Sequence, residues 1–128
     1  MTGLIIRSPW IEQILDGSKT WEIRGRATAR RGPIALIRSG SGCVVGLVDL
    51  KNCLALSPDD YRRAERFHRI PLSVHDALPY PRCYAWVLAH PRRLLTPQPY
   101  AHPRGAVIWV TLPDAILADH PAFAGLRP

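Results

Sequence analysis

The sequence lacks paired cysteines and long hydrophobic runs. Its three cysteines, Cys43, Cys53 and Cys83, are widely spaced and form no Cys-x-x-Cys pair, which argues against a disulfide framework or a zinc site. No apolar segment approaches the roughly 18 to 20 residues of a membrane-spanning helix, and residues 1 to 7 do not have the pattern of a signal peptide. These absences predict a cytoplasmic protein with no metal, no cofactor and no membrane association.

Acidic residues and lysines are also scarce. The formal net charge is +7, and Lys19 and Lys51 are the only lysines. Between Glu22 and Asp49 there is no acidic residue, whereas five arginines lie in that interval, namely Arg24, Arg26, Arg30, Arg31 and Arg38. A block of one charge sign suits a polyanion, because each neutralised phosphate releases counterions. The alternative is a solvated basic loop that has no partner.

The composition that remains describes one globular domain. A chain of 128 residues, 47% of them hydrophobic, can bury a core without disulfides or metals, so we expect a single domain over residues 1 to 128. Apolar segments predict strands at 3–7, 20–24, 33–38, 43–50, 84–90 and 106–112. Helices are expected from Ser8, from Ser57 and, as a closing turn, over 113 to 119. This order shows no regular βαβ alternation and predicts an α+β fold, a small mixed β-barrel of five to six strands with two to three short helices.

The stretch from Gly17 to Gly25 has an unusual density of charge beside a tryptophan. A short helix with an apolar stripe at Trp10, Ile11, Ile14 and Leu15 precedes it, and Gly17 ends that helix. Thr20 to Arg24 then alternates, which places Glu22 and Arg24 on the strand face opposite Trp21 and Ile23. The side chain of Lys19 is long enough to reach the same place. We interpret this stretch as a polar site; the alternative is a surface group of ion pairs that contributes about 0 to 1 kcal/mol.

The pattern Gly17-x-Lys19-x-x-Glu22-x-Arg24 resembles the signature of the ASCH domain (activating signal cointegrator-1 homology), a family of the PUA-like superfamily. Further similar segments make the resemblance cover most of the chain, namely Arg7-Ser8-Pro9-Trp10, 67–71, 84–88 and 99–109. The resemblance implies a PUA-like β-barrel with a cleft lined by the lysine, glutamate and arginine of the motif. It also implies association with RNA, DNA or nucleosides.

Some members of this family are amidohydrolases that act on an acetylated cytidine, and some are ribonucleases. Lys19 is similar to a residue of the amidohydrolase branch, but Glu22 stands where that branch has its nucleophilic threonine. Thr20 lies on the same strand face, but its spacing from Lys19 differs from that of the branch's nucleophilic threonine. Glu65 does not align clearly with the branch's catalytic glutamate. These departures weigh against deacetylation by that mechanism, and an acetylcytidine amidohydrolase-like activity stays an alternative.

Candidate residues fall into two groups. The ligand-binding group lines the implied cleft and comprises Arg7, Ser8, Trp10, Lys19, Thr20, Glu22, Arg24 and His68, of which Lys19 and Glu22 are also the catalytic candidates. The second group is expected to contact a nucleic-acid backbone and comprises Arg26, Arg30, Arg31, Arg38, Arg92, Arg93 and Arg104. Trp10 and Trp21 also fit a core position, because both lie on apolar stripes, and His68 also fits a packed helix histidine.

Three functions remain open at this point. The first is binding of RNA, in preference to DNA, with one nucleotide or nucleoside in the cleft. The second is a small hydrolase acting on RNA or on a modified nucleoside, with Glu22 as general acid or base. The third is a protein-interaction module in transcription or translation.

Overall fold

One mixed sheet of six strands forms the centre of the fold. The structure is a computed structural model and describes residues 1–74, 77–113 and 116. The elements, in chain order, are β1 (Thr2–Ile6), α1 (Trp10–Leu15), β2 (Trp21–Arg24), β3 (Gly32–Arg38), β4 (Cys43–Ala55), α2 (Pro58–Arg63), α3 (Glu65–His68), β5 (Tyr84–Pro99) and β6 (Trp109–Thr111). The strand order is β2-β5-β4-β3-β1-β6, and the sheet curls into a half-barrel. The predicted α+β fold is therefore confirmed, and none of the described helices is long and apolar enough to cross a membrane.

The short helix α1 covers the inner side of this curl. Its apolar stripe is confirmed, because Ile11, Ile14 and Leu15 are buried in one cluster with residues of β1, β3 and β4. Leu15 packs so closely over Gly46 of β4 that a Cβ atom at Gly46 would overlap its side chain. Such a two-turn helix depends on this packing, since short helices are marginal alone in water.

The helix α1 begins differently from the prediction. Pro9 occupies the N-cap position, its peptide bond to Ser8 is cis, and no side chain caps the helix. The Ser8 hydroxyl instead donates to Glu12 Oε1 at 2.7 Å. Gly17 follows the helix at φ 87°, as expected for a residue that ends it.

The middle helical segment divides into two. Its start at Ser57 is as predicted, and Asp60 completes a capping box that was not predicted, in which each of these two side chains accepts from the other residue's backbone N–H. Helix α2 ends at Arg63, Ala64 leaves helical geometry as the cap between the two helices, and α3 then runs from Glu65 to His68. The change of direction lets the rings of Tyr61 and His68 stack with their centroids 4.4 Å apart.

Three strands differ by several residues from the sequence prediction, and the first of them, β4, continues beyond the predicted 43–50 to Ala55. β5 continues through Pro91 and Pro97 to Pro99, although the sequence predicts a loop there. β2 pairs only with residues 84 to 87 of β5, so the later part of β5 has β4 as its one strand neighbour, and prolines are tolerated on such an edge. β6 covers only Trp109–Thr111 of the predicted 106–112, and the predicted turn over 113 to 119 lies almost wholly outside the described residues.

Candidate functional site

The edge strand β2 carries the polar site. Ile23 is buried with Cys83 and Ala85, and Trp21 packs against the same cluster and stacks on Phe67 at 5.0 Å. Glu22 and Arg24 therefore face the other way, as the alternation predicts. Glu22 is only 7% exposed and Lys19 only 2%, so the interpretation of these charges as a solvent-exposed surface cluster is wrong.

Arg24 holds the carboxylate of Glu22 in a fixed position. Its Nε donates to Glu22 Oε2 at 2.9 Å, and its Nη2 lies 2.8 Å from the same oxygen. Nη2 also donates to the backbone oxygen of Ile5 at 3.1 Å, which ties the edge strand β2 across the open side of the curled sheet to β1. Among the described residues nothing hydrogen-bonds to Glu22 Oε1 or Arg24 Nη1.

Lys19 lies behind this pair. Its Nζ donates to the backbone oxygen of His68 at 2.5 Å, lies 3.8 Å from Glu22 Oε1 and is 5.1 Å from the centre of the Trp10 ring. Burial lowers the pKa of Lys19 from 10.5 to about 8; Glu22 partly opposes this effect and Arg24 adds to it. A lysine at such a pKa exists in both protonation states near neutral pH, which is a property typical of functional sites.

A cleft of about 790 Å³ opens beside these charges. Five of the predicted ligand-binding residues line it, namely Arg7, Trp10, Lys19, Glu22 and Arg24. Ser8 and Thr20 are absent from the lining; Ser8 bonds to Glu12, and the backbone of Thr20 bonds to Phe67 and Leu88.

His68 contributes its backbone to the site instead of its ring. The ring is fully buried, Nδ1 accepts from the backbone N–H of Ile70 at 2.9 Å, and Nε2 therefore donates to the oxygen of Tyr61 at 2.8 Å. Burial lowers the pKa of His68, which keeps the ring neutral. The structure thus places His68 as a packed histidine that positions Lys19 through its carbonyl oxygen.

Sequence reasoning missed most of the opposite wall of the cleft. This wall includes Tyr80, Tyr100 and His102, with Ala106 and Val107 beside them. Tyr100 OH donates to His102 Nδ1 at 2.7 Å, and His102 Nε2 donates to the oxygen of Ala106 at 2.9 Å. The similarity of residues 99 to 109 to the ASCH pattern was the available signal for this wall, but it does not say which side chains face the cleft.

Tyr80 reaches the cleft by packing on the motif itself. A Cβ atom on Gly25 would lie 3.0 Å from the Tyr80 ring, so glycine at this position permits the contact. Tyr80 is 40% exposed. Together with the half-buried Trp10 it gives the cleft two aromatic side chains that a base could contact.

The predicted backbone-contacting arginines occupy different surroundings. Arg38 pairs with Glu12 at 3.0 Å and Arg92 with Asp49 at 2.7 Å, so both are engaged within the protein. The guanidinium carbon of Arg30 lies 4.7 Å from the centre of the Trp109 ring. Trp109 stacks on Trp86, and the guanidinium of Arg24 lies over the Trp86 ring. The exposed members are Arg26, Arg30, Arg31, Arg93 and Arg104. No group of potential metal ligands occurs among the described residues.

Comparisons with known proteins identify the family and the fold. The ASCH domain family model matches residues 4–98. Three crystal structures of an ASCH protein from Zymomonas mobilis are similar in fold. A tyrosine-to-phenylalanine mutant has TM-score 0.75 at 14% identity, with 93% of this chain and 97% of that chain covered. A serine-to-alanine mutant has TM-score 0.70 at 15% identity (88% and 87% covered), and the protein without a stated mutation has 0.69 at 15% identity (89% and 88% covered).

No curated protein matches the chain. The family model nevertheless spans well over half of the sequence, and the six-stranded half-barrel agrees with it. The chain belongs to the ASCH domain family, which is PUA-like and linked to RNA binding.

Proposed function

We propose that this protein binds single-stranded RNA and holds one base of it against Glu22 and Arg24. The observation that carries the proposal is a pair of polar atoms on two residues of the cleft lining. Glu22 Oε1, an acceptor, and Arg24 Nη1, a donor, make no hydrogen bond among the described residues, although Oε1 also lies 3.8 Å from Lys19 Nζ. Adenine and cytosine present the complementary pair, an exocyclic amine beside a ring nitrogen that accepts. Arg24 holds one oxygen of the carboxylate, Oε2, with two nitrogens, which fixes the carboxylate before a ligand arrives and lowers the entropy cost of binding.

The surroundings of this pair also suit RNA. Trp10 and Tyr80 offer aromatic surface beside the polar atoms, and proteins recognise unpaired RNA bases by this combination of stacking and edge contacts. The exposed arginines of the loop between β2 and β3, Arg26, Arg30 and Arg31, provide positive charge for neighbouring phosphates. We therefore expect binding that weakens with salt.

Replacing Glu22 by glutamine is expected to weaken RNA binding about 10- to 100-fold, the usual effect of losing a hydrogen bond to a charged group. In this variant Arg24 would keep its hydrogen bond to the side-chain oxygen of the glutamine. The amide nitrogen, which is a donor, would then face the exocyclic amine of the base, which is also a donor. Fluorescence anisotropy with labelled adenine-rich and cytosine-rich single strands at about 50 mM salt measures the change.

Asp59→Asn is the matched control, because it removes a largely exposed carboxylate whose one ion pair is on the protein surface. It should leave affinity unchanged. RNA binding by the wild-type protein that is undetectable at this low salt would contradict the proposal, as would equal affinities of wild type and Glu22→Gln.

A second candidate function is hydrolysis of RNA or of a modified nucleoside. The observation that favours it is the pKa of about 8 at Lys19 beside a cleft carboxylate. In this alternative Lys19 positions or activates the nucleophile and Glu22 transfers the proton.

The hydrolase candidate predicts that Lys19→Ala and Glu22→Ala each lower turnover by about 100-fold or more. Purified wild type and both variants are incubated with single-stranded RNA and with acetylated cytidine, and products are separated by chromatography. Equal traces of product from all three proteins would show a contaminating enzyme and remove this candidate.

A further inference from the structure

The cleft has two groups of lining residues with different chemistry. Its lining includes the bonded group of Lys19, Glu22 and Arg24, and it also includes a second group, Arg7 with Ser39, Gly40 and Gly42. Arg7 is exposed, and among the described residues its guanidinium has no hydrogen bond and no ion pair. Arg7 is thus a cation in the cleft that is available to a ligand.

The sheet brings Arg7 next to the turn between β3 and β4. β1 and β3 are parallel neighbours with Ile6 opposite Arg38, so Arg7 and Ser39 leave the sheet side by side at its carboxyl edge. The Ser39 N–H donates to the oxygen of Ile6 at 2.9 Å, which fixes the start of the turn beside Arg7. The carboxyl edge of parallel strands is a frequent location for ligand sites.

The turn beside Arg7 also contains two glycines whose backbone N–H groups make no hydrogen bond among the described residues. Gly40 and Gly42 have φ of 80° and 67°, and a Cβ atom at either would meet only open space within 4 Å. The N–H groups of Ser39 and Ser41 donate within the protein, whereas those of Gly40 and Gly42 have no acceptor among the described residues. Free backbone N–H groups beside an arginine favour an anion.

The charge of the cleft supports the same conclusion. Its described lining carries three cations, Arg7, Lys19 and Arg24, and one carboxylate, Glu22. Glu12 is the acid near Arg7 in sequence, but it bonds to Arg38 and Ser8 and is not part of the lining. No carboxylate of the described cleft therefore pairs with the positive charge of Arg7. The cleft volume of about 790 Å³ is near the upper end of ordinary ligand clefts, about 300 to 1,000 Å³, and leaves room for more than one base.

We infer that Arg7 and the turn at residues 39 to 42 form a phosphate subsite, which binds the phosphate of the nucleotide whose base lies at Glu22. The inference rests on the proposed function and makes the ligand of the cleft a nucleotide unit of the strand. The contacts with the base supply selectivity, and the phosphate subsite supplies affinity for any nucleotide that carries the phosphate.

Calorimetric titrations with cytidine, its 5′- and 3′-monophosphates, adenosine, its 5′- and 3′-monophosphates and inorganic phosphate test the inference. For wild type we expect one monophosphate of a nucleoside to bind about 10-fold or more tightly than the nucleoside itself. Arg7→Gln should abolish this difference and leave nucleoside affinity unchanged. Arg63→Gln, which removes an exposed arginine outside the cleft, should retain the full difference.

The possible outcomes separate the two proposals. Equal affinity of wild type for nucleoside and both monophosphates would overturn the phosphate subsite while base binding stands. An equal loss for nucleoside and nucleotide in Arg7→Gln would also overturn it, because Arg7 would then act on the base or on the cleft as a whole. If the wild-type protein binds RNA but none of these small ligands, the phosphate subsite is wrong. If it binds neither RNA nor any of these ligands, the proposed function is wrong as well.

Discussion

Raising the pH from 7 to 10.5 is expected to stabilise the wild-type protein by about 3 kcal/mol relative to its Lys19→Met variant. The pKa of Lys19 is about 8 in the folded chain against 10.5 for an ordinary lysine. Between these values the unfolded chain binds a proton that the folded chain does not, so stability rises with pH. Below about pH 8 both states are protonated and the contribution of Lys19 to the pH dependence vanishes.

Urea unfolding of both proteins at several pH values measures this difference. Burial also raises the pKa values of Tyr61 and Cys83, which makes the folded protein lose stability at high pH, but these groups are common to both proteins and cancel. Lys51 is exposed, so Lys51→Met serves as the control. Its free energy of unfolding should change with pH in the same way as that of the wild-type protein. Parallel curves for Lys19→Met would mean that Lys19 titrates as an exposed lysine.

The two neighbours of Lys19 are expected to move its pKa in opposite directions. Glu22 raises the pKa of Lys19 and Arg24 lowers it. Glu22→Gln should therefore lower the pKa of Lys19 further, because it removes an opposite charge that lies 3.8 Å from Nζ. Arg24→Gln should raise it, both by removing a cation and by freeing Glu22 to approach Lys19.

The chain is well suited to this measurement, because Lys19 and Lys51 are its only lysines. Protein labelled with ¹³C at lysine Cε gives two signals in a pH titration, and the exposed Lys51 is an internal reference. Shifts in the same direction for both variants would show that a change of structure, not the removed charge, controls the pKa of Lys19.

Sequence patterns locate the centre of the site because two local rules act there. Period-two alternation on β2 directs Glu22 and Arg24 away from Trp21 and Ile23, and the ASCH-like spacing adds Lys19. Both rules operate over a few residues. The fixed carboxylate, the buried lysine and the Arg24 bond to Ile5 depend on how β2 approaches β1 across the open sheet, which sequence spacing does not encode.

The remaining differences arise from contacts between distant residues. His68 was a cleft candidate, but stacking on Tyr61 and the N–H of Ile70 occupy its ring. The sequence shows no metal-ligand spacing among His75, His90, His102 and His120 and predicts surface or loop positions for them, but the fold brings His102 to the cleft wall. The prolines of β5 indicate a loop when only strand propensity is considered. Propensity does not show that a residue lies at a sheet edge, where a proline is tolerated. His75 and His120 lie outside the described residues.

The placement of β1 has a consequence for the order in which the protein can fold during synthesis. β1 contains residues 2 to 6, yet its two neighbours are β3 at Gly32–Arg38 and β6 at Trp109–Thr111. Until residue 111 has left the ribosome, one edge of the first strand therefore lacks its partner. The wall with Tyr100 and Val107 is also made late, so a nascent chain has Lys19, Glu22 and Arg24 well before it has a closed cleft. Pairing across so many residues is slow relative to local helix formation, and we expect the complete cleft to be the last part of this fold that the growing chain forms.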